Sequence, residues 1–152
     1  METESPKSLY EQLKEMKPHH AINFVYEQIL QKPEDESILM ANLTKYMFEK
    51  RPSEKEVSIA FQANTAKRAE IITENAGQLF KFGPIMDKVG FGNMSKADAE
   101  EMQRLAQRTI KIDAVFKTAM GVLDSYSLAE FGKMPSTIYE EHLSESIDKL
   151  LG

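Results

Sequence analysis

Residues 54–80, EKEVSIAFQANTAKRAEIITENAGQLF, and residues 96–131, KADAEEMQRLAQRTIKIDAVFKTAMGVLDSYSLAEF, decide the fold. Counting ~100° per residue from Val57, the side chains of Phe61, Ile71, Ile72, Ala76 and Leu79 fall within a sector of roughly 140°. Glu56, Lys67, Glu70 and Glu74 fall opposite. In the first half of this segment Ile59, Ala63 and Ala66 also lie on the far side, which predicts packing on more than one face. The second segment carries its own stripe, made of Met102, Leu105, Ala106, Thr109, Ile112, Phe116, Ala119, Met120 and Leu123, while Glu100, Arg104, Gln107 and Lys111 face away. Both are long amphipathic helices.

Each stripe has a charge set within it. Arg68 lies near the centre of the first, flanked by Asn64 and Asn75, and Asp113 lies inside the second. Folded as an antiparallel hairpin, the two helices place these residues twelve and seventeen positions from the connector. The offset of about five residues, ~7–8 Å of rise, is within reach of an arginine side chain and a modest stagger. The expectation is an internal Arg68–Asp113 ion pair that fixes helix register. A local bond from Asp113 to Lys117, one turn later, is the competing arrangement. A ligand or catalytic role for the pair is a third, and it requires an open pocket beside it.

Between the helices, the connector Lys81–Ser95 is unusually apolar for a loop. Phe80, Phe82, Ile85, Phe91 and Met94, with Met86 and Val89, form either a protein-binding surface or a short helix at 84–89 folded over the core as a lid. Gly83, Gly90 and Gly92 are not a phosphate-binding loop, because no strand precedes them and no Gly-Lys-Ser/Thr follows.

The remainder arranges itself around this hairpin. Residues 1–52 read as short helices separated by prolines. Ser5-Pro6 opens the first, with Leu9, Leu13 and Met16 on one face. Pro18 opens a second with Ile22, Val25 and Ile29, and Pro33 a third with Ile38, Leu39, Leu43, Tyr46 and Met47. The proline spacings follow no fixed period, so no repeat is assigned. Ser53 with Glu56 forms a capping box for the long helix. Gly121 or Ser125–Ser127 is a candidate bend in the second long helix. A last helix over 137–151 presents Ile138, Tyr139, His142, Ile147, Leu150 and Leu151. The expected fold is therefore all-α, one domain spanning 1–152: a bundle of about six helices built on the 53–131 hairpin.

Composition narrows the function classes. The 152 residues include no cysteine, which removes thiol catalysis, disulfides and Cys-based zinc sites and suits a reducing compartment. No apolar run approaches the ~20 residues that cross a bilayer, and the acidic opening Met1–Pro6 is unlike a secretory leader. A cytoplasmic location without membrane association is the expectation. Net charge is −5, distributed as four Lys against eight acids in 1–44, thirteen bases against ten acids in 45–123, and two bases against six acids in 124–152. The weakly basic middle is interspersed with acids, so nucleic acid is not a favoured partner. Ser53–Ile72 lacks the break of a helix-turn-helix.

No catalytic, cofactor or metal motif emerges. His19 and His20 point ~100° apart on a helix and make poor joint ligands. Glu141 and Glu145 around His142 do not give the Glu-x-x-His of a di-iron site. Glu34-Asp35-Glu36 and Glu100-Glu101 suit helix N-termini. The functional expectation is a non-enzymatic protein–protein interaction module, a regulator or assembly factor, requiring no cofactor. Nine methionines and an alanine-lined helix point to self-association, most simply as a homodimer. The alternatives are a nucleic-acid-associated regulator using residues 45–123 and an enzyme built on the Arg68/Asp113 pair.

Overall fold

Prolines and serines set the helix boundaries throughout. The computed structural model describes residues 8–152, the side chain of Phe91 excepted. Among them seven α-helices follow one another: α1 (Leu9–Lys14), α2 (Pro18–Gln31), α3 (Glu36–Lys50), α4 (Glu54–Phe80), α5 (Gly83–Val89), α6 (Lys96–Phe131) and α7 (Pro135–Leu151), with 3-10 turns at Pro33–Asp35 and Phe91–Asn93. No strand occurs among the described residues, and none of their helices is long and apolar enough to cross a membrane. The Ser53/Glu56 capping box opens α4 with both reciprocal bonds present, satisfying backbone donors that the helix leaves unpaired.

Several boundaries differ from the expectation. Ser5 and Pro6 lie outside the described residues, and Ser8 caps α1 by accepting from the Glu11 amide. Pro33 starts a 3-10 turn rather than α3 itself. The helix α6 runs unbroken through Gly121 and Ser125–Ser127 for 36 residues and ends at Gly132, whose φ of 68° suits a residue without a Cβ. Arg51 ends α3 in the same left-handed region, at φ 50°. This conformation costs a non-glycine residue roughly 1–2 kcal/mol. The next residue, Pro52, is buried, and its carbonyl accepts a 2.6 Å hydrogen bond from the Tyr126 hydroxyl, so tertiary contacts hold the turn in place.

The long helices are antiparallel. Pro52 meets Tyr126, Arg68 meets Asp113, and Asn75 meets Leu105 and Thr109, so positions rise along α4 as they fall along α6. Around the base of this hairpin α2 and α3 pack against α6, and α2 also packs against α4. Ile22, Val25, Tyr26 and Ile29 of α2 join Leu43, Tyr46 and Met47 of α3 and Ile112, Ala119 and Leu123 of α6 in one continuous core. Val115, Val122 and Tyr126 are buried too, on the flank of α6 that the single-stripe reading had turned outward. The stripe named for α6 faces α4, whereas α2 and α3 also pack on the helix and cover this flank. Conversely Ile38 is 62% exposed and leaves the expected α3 stripe, and Ile59 is exposed as well.

Helix α7 runs parallel to α4. Lys133 reaches Glu54 at 3.4 Å, and the rings of Phe61 and Tyr139 lie 5.4 Å apart. Ile138 is buried, yet every residue from Leu143 onward is exposed. The core also stops short of the hairpin tip: its outermost members are Ile72, at its margin on α4, and Ile112 on α6. Beyond them, Asn75 and Leu105 are the buried residues among the described side chains. The tip of the hairpin is thus a two-helix arm, closed by α5.

Replacing Tyr126 with Phe removes the bond that ties the α3–α4 turn to α6 and leaves the Pro52 carbonyl unpaired. Chemical denaturation should show a loss of about 1–2 kcal/mol with an unchanged denaturant slope. A loss within the scatter of surface substitutions would mean that the turn is held by other contacts.

Candidate functional site

Arg68 and Asp113 do meet, and the competing local bond also forms. The Arg68 Nε donates to Asp113 Oδ1 at 2.9 Å, and Nη2 donates to the same oxygen. Lys117 Nζ approaches the other carboxylate oxygen at 3.4 Å. Both cations hold the Asp113 carboxyl below its ordinary value, the Arg68 hydrogen bond contributing most.

The pair is not internal, as its place in the stripes had suggested. The two side chains are 36% and 35% exposed, which puts them at the margin of the α4–α6 seam. A long arginine buries its methylenes and carries its charge toward water, so a position near the centre of a helical stripe does not bury the guanidinium. Inward of the pair the guanidinium lies 5.4 Å over the Phe116 ring, which in turn meets the Tyr26 ring edge-on at 5.9 Å. Tyr26 donates to the Ile112 carbonyl at 3.1 Å, and burial pushes its hydroxyl up to about 12. Alongside, Lys67 of α4 pairs with Glu27 of α2 at 2.6 Å. Three helices are joined in one layer: α2, α4 and α6.

The two asparagines that flank Arg68 are more deeply placed than the arginine. Asn75 donates to the Leu105 carbonyl at 2.8 Å and to the Thr109 hydroxyl at 2.6 Å, and the hydroxyl in turn donates to the same carbonyl. It is the truly internal polar link of the hairpin. Asn64 is fully buried and neither its amide nitrogen nor its oxygen has a hydrogen-bond partner among the described residues. The sequence signal for both was present, an amide within an apolar sector, but it was read as a flank of the charge rather than as the interior feature.

Chemically this layer is committed. Asp113 is held ionised between two cations, which makes it a poor proton acceptor, and both donor nitrogens that Arg68 turns toward it are in use. Neither residue lines any of five surface depressions of about 180 to 390 Å³. Among the described residues no three His, Asp or Glu side chains are grouped to hold a metal ion. His19 is half-buried, its ring 4.1 Å from that of His20, and burial followed by the charges of His20 and Lys17 lowers its pKa. His142 is half-buried on α7.

The connector does not lie over the main core. α5 contains no fully buried residue, and Phe82, Ile85, Met86 and Met94 are half-buried around the end of the arm. Phe80 is 76% exposed, the most exposed aromatic ring among the described side chains. The Phe91 side chain lies outside what the structure describes. No protein-family model, curated protein or solved structure matches this chain.

Two outcomes follow for this layer. Because the Asp113 pKa is depressed in the folded chain, its contribution is complete above the ordinary carboxylate range and lost as pH falls through the folded value. The stability gap between wild type and Asp113→Asn should therefore stay constant near neutrality and close as pH drops below about 4. A gap that persists unchanged into strong acid would place the charge elsewhere. Asn64→Leu removes an unpaired buried amide at nearly constant volume and should raise stability by about 1 kcal/mol in the same denaturation assay. A loss of that size would instead reveal a satisfied asparagine.

Proposed function

We propose that this chain is a non-enzymatic protein–protein interaction module, a regulator or assembly factor, whose arm tip is the contact surface. The exposure of Phe80 carries the reading: a large aromatic ring stands in solvent at the end of a two-helix arm that the main core does not reach. Burying such a ring in a partner gains about 1.5–3 kcal/mol, the size of an interface anchor. Phe82, Ile85 and Met94 around it are half-covered and offer adaptable apolar area. Phe91 belongs to the same proposed surface by sequence position.

The alternatives have weaker support. Lys67 is engaged by Glu27 and Arg68 by Asp113, so two cations of the 45–123 segment already have carboxylate partners. An enzyme would need an open cavity at the Arg68/Asp113 layer.

The test is capture from the native host with wild-type protein and with Phe80→Ala. Phe80 contributes little to the fold, so the variant should keep its thermal midpoint while losing the captured partner. Equal capture by both proteins would remove the arm tip as the contact surface.

A further inference from the structure

Helix α7 is the long helix least tied into the core. Pro135 and Ile138 are the buried members of its seventeen residues, against seven of fourteen in α2. Its main neighbour is α4. Among the described residues its core, ring and ion-pair attachments fall within its first two turns. Ile138 enters the core, the Tyr139 ring meets that of Phe61, and Lys133, just ahead of the helix, reaches Glu54 on α4 and Glu141 on α7. From Leu143 onward every residue is exposed. Beneath the attached half, Glu54, Ser58 and Phe61 are spaced i, i+4 and i+7 and share one side of α4. The outer two meet Lys133 and Tyr139, so Ser58, 8% exposed, is covered between them.

We infer that α7 is a releasable strap: it lifts from α4 as a unit while α1–α6 stay folded, and its lifting bares the Ser58 and Phe61 side of α4. The core built by α2, α3 and α6 includes one residue of α7, Ile138. Release therefore breaks the packing of that side chain, one ring contact and ion pairs that are half-exposed, and such pairs contribute little. Global unfolding must break the whole core as well. Elements with few buried apolar contacts open at free energies well below the global value. Once lifted, a lone helix of this length is marginal in water, so it loses its own hydrogen bonds. Access to the covered face of α4 is then set by an opening equilibrium. The strap involves α7 and the base of α4, not Phe80, so it stands or falls apart from the arm-tip reading.

Native-state hydrogen exchange on the full chain, read residue by residue by nuclear magnetic resonance at low denaturant, tests it. Amides of residues 139–143 should be protected about a hundredfold less than those of residues 25–29 in α2 and 119–123 in α6, with a shallower dependence on denaturant. Ile29→Val trims a buried side chain of α2, which packs against α3, α4 and α6. It should lower the protection of the core amides by about threefold to tenfold. Residues 139–143 should not respond, because the strap opens without disturbing α2. The chain has no cysteine, so Ser58→Cys supplies a lone thiol under the strap. Its reaction with a soluble disulfide reagent should follow the opening measured at 139–143 and likewise ignore Ile29→Val. The inference is overturned if residues 139–143 share the protection and denaturant slope of the core, or lose protection with Ile29→Val. A thiol that reacts only on global unfolding would also overturn it, by showing that the end of α7 frays while its base stays down. So would a thiol as reactive as one in an unfolded peptide, which would show that α7 leaves position 58 uncovered.

Discussion

The register between α4 and α6 is the constraint on which the rest depends. These helices are the only elements that run from the base of the molecule to its tip among the described residues, and both the shared core and the arm are defined by how they align. Side chains at three levels pin that alignment: Tyr126 to Pro52 at the base, Arg68 to Asp113 midway, and Asn75 to Leu105 and Thr109 in the arm. Apolar stripes alone tolerate a one-turn slip, because leucine and alanine pack against many neighbours. Hydrogen bonds with fixed partners do not.

The three links are unlike in their energetics. A half-exposed ion pair contributes modestly, since water screens it and ordering two long side chains costs entropy. The buried asparagine is different, because a slip would strand its amide away from water. Asn75 is consequently the more demanding determinant of register, and Arg68 the more adjustable one. Near the base, buried tyrosines extend the same logic: Tyr26, Tyr46 and Tyr126 each donate a hydrogen bond to a backbone carbonyl, and burial pushes each hydroxyl up to about 12.

The all-α class, the two long helices and the capping box at Ser53 were legible from periodicity and turn chemistry. So was the meeting of Arg68 with Asp113, because an arginine's reach spans the offset between their positions. What could not be read was depth. A helical wheel gives direction but not how many neighbours stand there, so Val115 and Tyr126 were missed on the crowded flank of α6, while Ile38 and the end of α7 were assigned cover they do not have. The arm was hidden for the same reason. Its stripe continues past Ile112, but among the described residues no third helix arrives to complete the core, and the connector closes the arm rather than the bundle. That incompleteness is the physical basis for reading the molecule as one that binds others.

The most direct measurement is a nuclear Overhauser spectrum of the side-chain amide of Asn75. Its two amide protons should give cross-peaks to Thr109, with slowed exchange against water, since the donor lies 2.6 Å from the Thr109 hydroxyl and 2.8 Å from the Leu105 carbonyl. Rapid exchange with no contact to Thr109, or contacts to residues a turn away on α6, would contradict the register and with it the arrangement of both the core and the arm.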